Sequence, residues 1–242
     1  MADRKVACLC ITYNRPKLLC EAIESFNRQT YPAHLRELII LDDAGQYMNV
    51  RLDIPNVKLI SIPHRFRTLG EKRNACAALA SPDVDTYAVW DDDDIYLPRH
   101  LEAAMQTIEC GAQLVIPEHI LVWGPRNIEI KNPGRLFHPC WVFTRQAFVA
   151  AGGYPMATDA EDQTLMWRFH AQGINPVNPR GFGITFVYRF YVDPSAVHAS
   201  AGRTSDIYDK RGREKIVPVA ELKPGWPKDW QDFFSKVKPG LV

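Results

Sequence analysis

Strand-length apolar runs alternate with segments of helical period from Val6 to Cys110, and that rhythm confines the chain to a small set of folds. Residues 6–12 form a β-rich run that Tyr13-Asn14-Arg15-Pro16 interrupts. From Pro16 the residues Leu18, Leu19, Ala22, Ile23 and Phe26 recur at helical spacing, with proline in the first turn, where its missing N–H does no harm. Residues 38–41 and 57–62 predict two further strands, and 70–80 predicts a helix with Ala75, Ala78 and Leu79 inward. A fourth strand is predicted over 86–90, then a helix over 98–110 with Leu101, Ala104, Met105 and Ile108 on one face. Strands and helices in this alternation indicate an α/β fold, a mostly parallel sheet flanked by helices.

After Gly111 the rhythm changes. Residues 114–117, 120–123 and 127–131 predict strands without intervening helices, which points to a smaller mixed sheet. A strand over 140–144 leads into a short helix at 145–151; Gly152-Gly153 breaks the chain before a helix over 160–172. Residues 184–192 predict a late strand, and 203–215 a charged helix or loop. The expected organisation is one domain over 1–222, with a first half at about 1–111, a second half at about 112–222, and a docked strap over 223–242.

Composition excludes little but does exclude some classes. At 242 residues, 46% hydrophobic and 24% charged, the chain is long enough for a substantial core. A formal net charge of +1 advertises neither nucleic acid nor membrane. No apolar run approaches the roughly 20 residues that span a bilayer, and the start Met1-Ala2-Asp3-Arg4-Lys5 lacks a secretory h-region, so a cytoplasmic protein is expected. The six cysteines include no C-x-x-C pair and read as buried free thiols rather than zinc ligands or disulfides.

The chemistry gathers just past the strands. In an open parallel sheet, ligands collect at the carboxyl ends of the strands. Three predicted strands deliver polar clusters there: Thr12-Tyr13-Asn14-Arg15, Asp42-Asp43, and the run Asp91-Asp92-Asp93-Asp94. Four like charges at the exit of a buried strand repel one another, and a divalent cation such as Mg²⁺ or Mn²⁺ would neutralise them. A solvated acidic turn with a helix cap is the plainer alternative. Lys72 and Arg73 fall in the first turn of a predicted helix, where the macrodipole disfavours cations. They make more sense beside an anion such as a diphosphate, although Lys72 is expected to point to solvent. Asp159-Ala160-Glu161-Asp162 opens another helix, its carboxylates serving either as helix caps or as a general base. No Gly-rich phosphate loop of Walker or dinucleotide type is present.

The ordered set of these motifs resembles the large family-two type of glycosyltransferases, which have the GT-A fold and use nucleotide-diphosphate sugars. The resemblance rests on Cys10-Ile11-Thr12-Tyr13-Asn14-Arg15-Pro16, Ile40-Leu41-Asp42-Asp43-Ala44-Gly45, Gly70-Glu71-Lys72-Arg73-Asn74, Trp90 through Pro98, Gly152-Gly153-Tyr154 and Glu161-Asp162. It implies that Thr12, Tyr13, Asn14 and Arg15 line a nucleotide pocket, that Asp43 hydrogen-bonds a pyrimidine base, and that Arg73 sits near ribose or diphosphate. It further implies Asp93 as principal ligand of Mn²⁺ or Mg²⁺, Asp91 or Asp92 on ribose or metal-bound water, Asp91 also as a metal ligand, and His198 as a late one. The four-aspartate run leaves the D-x-D register open by one residue.

Asp162 matches the base that would deprotonate an acceptor hydroxyl in a single inverting displacement. Glu161, His138 and Trp141 are implied on the acceptor side, with Arg126, Lys131 and Arg135 in the same variable region. The acceptor itself stays open among a saccharide, a small molecule, a protein or a modified nucleic-acid base. The rivals are a nucleotidyltransferase or sugar-nucleotide pyrophosphorylase on the same fold, and a non-catalytic sugar-nucleotide-binding module. A uridine diphosphate sugar is the expected donor, with thymidine second, because an Asp43 carboxylate accepts from an imide N–H.

Overall fold

The computed structural model describes residues 4–134, 137–190 and 215–242. Its α/β architecture follows the alternation in the sequence. Strand β1 (Val6–Thr12) is flanked by β2 (Arg36–Asp42) and β4 (Thr86–Val89), with β3 (Val57–Ser61) outside β2, and all four run parallel. Helix α1 (Pro16–Asn27) joins β1 to β2, and α2 (Leu69–Ala78) joins β3 to β4. Beyond β4 lie β9 (Val142–Thr144) and β6 (Leu114–Val115), giving the order β3-β2-β1-β4-β9-β6 with β9 antiparallel to both of its neighbours.

The second sheet has the order β5-β10-β7-β8, built from β5 (Ile95–Tyr96), β10 (Phe186–Arg189), β7 (Ile120–Trp123) and β8 (Ile128–Lys131). It is mixed: β10 runs parallel to β7 and antiparallel to β5. Helix α3 (His100–Glu109) buries Leu101, Ala104, Met105 and Ile108, the face its spacing predicts. Helices α4 (Arg145–Ala150) and α5 (Glu161–Ala171) follow β9, and α6 (Trp230–Val237) closes the chain. The predicted charged segment at 203–215 lies, apart from Lys215, outside the described residues, as does the end of the predicted strand 184–192.

Two details position the site. First, register aligns the strand ends: Thr12 pairs with Asp42, and Asp42 with Ser61. The loops that follow β1, β2 and β4 therefore open on one edge, as the parallel topology requires. Second, α2 is turned differently from the expectation. Cys76 and Ala77 are buried, while Ala78 is exposed and Leu79 is 38% exposed. The inward stripe carries Lys72, which is 3% exposed, so the expected solvent-facing lysine is corrected. A pattern of apolar residues places cations outside; here a buried carboxylate meets Lys72 and reverses that choice.

Close approach of backbone fixes the start of α2. A Cβ on Gly70 would lie 1.8 Å from the Pro155 carbonyl oxygen, and the Gly70 N–H donates to the Ala157 carbonyl at 2.9 Å. One turn later, Asn74 donates to the Tyr154 carbonyl and accepts from the Tyr154 N–H, both at 2.9 Å. This clasp ties α2 to the loop that leads into α5, and it explains the spacing of Gly70, Asn74 and Tyr154.

Candidate active site

The acidic run leaves β4 as a tight turn whose four side chains go to different partners. Asp92 faces β1: it accepts from Thr12 Oγ1 at 2.6 Å and from Arg15 Nη1 at 2.7 Å. The same Arg15 nitrogen reaches Asp93 Oδ2 at 2.7 Å. Asp91 faces Arg73, with Nη1 3.3 Å from its carboxylate, while its backbone N–H donates to the Tyr96 hydroxyl at 2.7 Å. Asp94 turns toward β10 and accepts from the Arg189 N–H at 2.9 Å.

Carboxylate oxygens of Asp91, Asp93 and Asp94 lie within 4.8 Å of one another. Asp94 Oδ2 is buried with no hydrogen-bond partner among the described residues. Burial, followed by the charges of Asp93 and Asp91, pushes the Asp94 carboxyl well above the usual range. Burial also raises Asp91, against the opposing pull of Arg73. An orphaned buried oxygen beside two further hard oxygen donors fits a divalent cation such as Mn²⁺ or Mg²⁺. The ligand set that the geometry favours is thus Asp91, Asp93 and Asp94. The sequence does not single out Asp94, because four identical residues in a row give no sign of which way each one turns. His198 lies outside the described residues.

At the ends of β1 and β2, Asp43 is 2% exposed and accepts from the Phe66 N–H at 3.1 Å and from Lys72 Nζ at 2.5 Å. Lys72 also donates to the Thr12 carbonyl at 2.6 Å, tying the ends of β1 and β2 together. Burial pulls Lys72 below its ordinary pKa, and Asp43 opposes that pull. Asp42, beside it, is a structural residue: it accepts from the Ala44 and Gln46 N–H groups and from Ser61 Oγ. Tyr13 is covered by the Arg65 guanidinium, 3.8 Å from the ring centroid. Asn14 holds a left-handed backbone, φ 53°, that asparagine tolerates better than most residues, and its Oδ1 accepts from Gln46 Nε2 at 3.1 Å.

Arg73 joins the two halves of the site. It is 3.3 Å from Asp91 through Nη1 and 3.3 Å from Glu161 through Nε, which brings the first turn of α5 to the acidic turn. Asp162 is half-buried beside Glu161, and its carboxylate accepts from the Gln163 N–H at 2.7 Å. Neither residue is the N-cap. Ala160 occupies that place with φ 54° and no capping side chain. A left-handed alanine costs about 1–2 kcal/mol, and such strain clusters at functional turns. His138 and Trp141 are 3% and 0% exposed, His138 Nε2 lying 2.8 Å from the Tyr154 hydroxyl. Their side chains back the site from the interior rather than forming an open acceptor surface. Arg126 and Lys131 are exposed, and Lys131 pairs with Glu129.

Glu161 carries a consequence for stability. Burial pushes its carboxyl from 4.5 up to about 7, with Arg73 opposing. Its folded form keeps a proton that the unfolded chain has released, so its stabilising contribution is full below 4.5 and lost as pH rises through 7. Glu161→Gln does not titrate. The melting temperature of that variant relative to wild type should therefore rise between about pH 5 and about pH 8. A difference that stays flat across that window would show that Glu161 is not buried as described.

Residues 8–148 match Glycosyl transferase family 2, more than half of the chain. The chain is 32% identical over 106 residues to the uncharacterized glycosyltransferase YwdF of Bacillus subtilis (strain 168), a match covering 43% of this chain and 38% of that protein. TarS of S. aureus, solved with UDP-GlcNAc, is similar in structure with a TM-score of 0.61 at 15% identity, over 80% of this chain and 61% of that one. The mannosyltransferase PcManGT from Pyrobaculum calidifontis, solved with GDP-Man and Mn²⁺, gives a TM-score of 0.60 at 18% identity, over 88% of this chain and 66% of that one. At such identities the two structures show a shared fold, and the chain spans well under half of the Bacillus protein. On the extent of the family match and on this fold, the chain belongs to glycosyl transferase family 2.

Proposed function

We propose that the chain is a cation-dependent, inverting glycosyltransferase that moves a sugar from a uridine or thymidine diphosphate donor, uridine favoured, to an acceptor hydroxyl. One observation carries this reading: the oxygens of Asp91, Asp93 and Asp94 cluster within 4.8 Å at a parallel-strand exit flanked by Arg15 and Arg73. The sugar nucleotides UDP-GlcNAc and GDP-Man in the two similar structures support a nucleotide-sugar donor here. Because the two carry different bases, the preference for uridine rests on Asp43.

A Mn²⁺ or Mg²⁺ ion held by Asp91, Asp93 and Asp94 would supply Lewis-acid neutralisation of the departing diphosphate. Arg15 and Arg73 are already positioned by carboxylates and would exchange part of that pairing for phosphate oxygens, which suits planar guanidinium donors. Thr12, Tyr13 and Asn14 would line the nucleoside, and Asp43, buried against Lys72 and the Phe66 N–H, would accept from the imide N–H of the base by exchanging one of those two partners for it. Asp162 would take the proton from the acceptor hydroxyl as its oxygen bonds to the anomeric carbon. The bond from that carbon to the diphosphate oxygen breaks with its electron pair, so a single displacement inverts the centre. The six unbridged cysteines suit a reducing, cytoplasmic setting, and no helix among the described residues is long and apolar enough to cross a membrane.

The donor assignment is tested by competition titration of nucleoside diphosphates in the presence of Mn²⁺. Uridine diphosphate should bind tightest; tightest binding by cytidine diphosphate, whose base has no ring N–H, would remove Asp43 from its role, and tightest binding by guanosine diphosphate, whose N1–H also donates to a carboxylate, would overturn the uridine preference. Product analysis completes the test, since release of pyrophosphate in place of nucleoside diphosphate identifies a nucleotidyltransferase.

A further inference from the structure

We propose that Arg189 is a positioning residue for the acidic turn and that the C-terminal segment sets its place through Glu21. The proposal rests on the cation-site reading above and deepens it. Arg189 is 6% exposed at the end of β10, opposite the turn. It holds the turn at two points: its N–H donates to Asp94 Oδ1 at 2.9 Å, and its Nε donates to the Asp93 carbonyl at 2.5 Å. Two adjacent ligand residues are thereby fixed relative to the second sheet, one through its side chain and one through its backbone.

The guanidinium is held in turn from the other side. Its Nη1 pairs with Glu21 Oε2 of α1 at 2.8 Å, and both side chains are largely buried. The same Glu21 oxygen accepts from the indole N–H of Trp230 at 3.3 Å. Trp226 donates its indole N–H to the Glu21 carbonyl at 3.2 Å. Trp230 and Phe234 pack in one apolar cluster with Ile95, Leu97 and Val187, so α6 lies against the strand that continues the acidic turn and against β10 itself. Hydrogen bonds and packing therefore both run from the C-terminal segment to the aspartates.

The chemistry explains why arginine suits this place. A buried planar guanidinium offers several donors in fixed directions, so it can hold a backbone carbonyl and a carboxylate together. It also places a positive charge beside Asp93 and Asp94. Glu21 fixes the orientation of that charge, as partners behind metal ligands do, where a typical loss on removal is about 10–100-fold in metal affinity.

The test uses the full chain and Mn²⁺ alone, measured by calorimetry and by the Mn²⁺ electron spin resonance spectrum, without donor or acceptor. Glu21→Gln should weaken Mn²⁺ binding about 10-fold and alter the spectrum, while thermal melting shows the protein folded at the working temperature. Arg189→Lys, which keeps the charge and the backbone N–H but not the fork, should weaken it at least as much. Trp230→Phe keeps the ring packing and removes only the indole donor; it should give a smaller loss in the same direction and serves if Glu21→Gln does not fold. Wild-type Mn²⁺ affinity and spectrum in these folded variants would overturn the proposal while leaving the cation site standing. Failure of the wild-type protein to bind Mn²⁺ would overturn the cation site itself, and the proposal with it.

Discussion

Asp93→Ala should abolish cation-dependent binding of the sugar nucleotide while leaving a folded protein. Removing a partner that merely orients a ligand costs about 10–100-fold in metal affinity, so removing a ligand itself should cost about 100-fold or more. Two features argue that the fold survives. Arg15 keeps its 2.7 Å contact with Asp92 when Asp93 is truncated, and the Asp93 carbonyl remains available to Arg189. Removing one of four adjacent carboxylates also relieves repulsion, so the melting temperature without cation should hold or rise. Calorimetry of uridine diphosphate with Mn²⁺ and with EDTA checks the result. Equal affinity in the two conditions for the wild-type protein would sink the cation-bridged reading, whatever the variant does.

The parallel core was legible because each of its strands is an apolar run closed by a polar turn, and because α1 is led by proline and α3 is regular in its spacing. The order of the sheet past β4 was less so. Residues 114–117 and 140–144 read as strands, yet nothing local says that β9 inserts antiparallel between β4 and β6. That pairing joins segments far apart in sequence and depends on burial of Phe143 and Val142 that no short window displays.

The site was legible in kind and obscure in direction. Lys72 and Arg73 stood out as cations in a first turn, but hydrophobic patterning turns cations outward. Only the carboxylates of Asp43, Asp91 and Glu161, brought from three other segments, explain why this stripe of α2 faces in. Likewise Arg189 gave no sign in the sequence, since its role exists only once β10 lies beside β5. Gly153 and Tyr154 could be noticed as a motif. Their reason is the Asn74 clasp and the positive φ of 66° at Gly153, where a side chain would meet Asn74 Oδ1 at 2.8 Å.

Asp162→Asn should give a stable protein that binds cation and sugar nucleotide as wild type does but transfers poorly. The structure sharpens this expectation. Asp162 stands in the first turn after the N-cap position, and its carboxylate accepts a local bond from the Gln163 N–H at 2.7 Å. The amide oxygen of asparagine can accept that bond, so the change costs only the favourable interaction of a negative charge with the helix N-terminus, about 0.3–1 kcal/mol. A base, by contrast, cannot be replaced by an amide, and loss of acid–base catalysis lowers turnover by about 10²–10⁴-fold. Donor affinity should barely move, because the cation-site carboxylates and Arg15 are untouched. Glu161 is the competing candidate, since it sits one residue earlier and its carboxyl is pushed up to about 7, the range that suits a base. It is, however, 5% exposed and committed to Arg73 at 3.3 Å, whereas Asp162 is the more accessible of the two. Single-turnover transfer by Asp162→Asn and Glu161→Gln, measured side by side with donor affinity, decides between them. Near-wild-type transfer by Asp162→Asn together with a collapse in Glu161→Gln would move the base to Glu161.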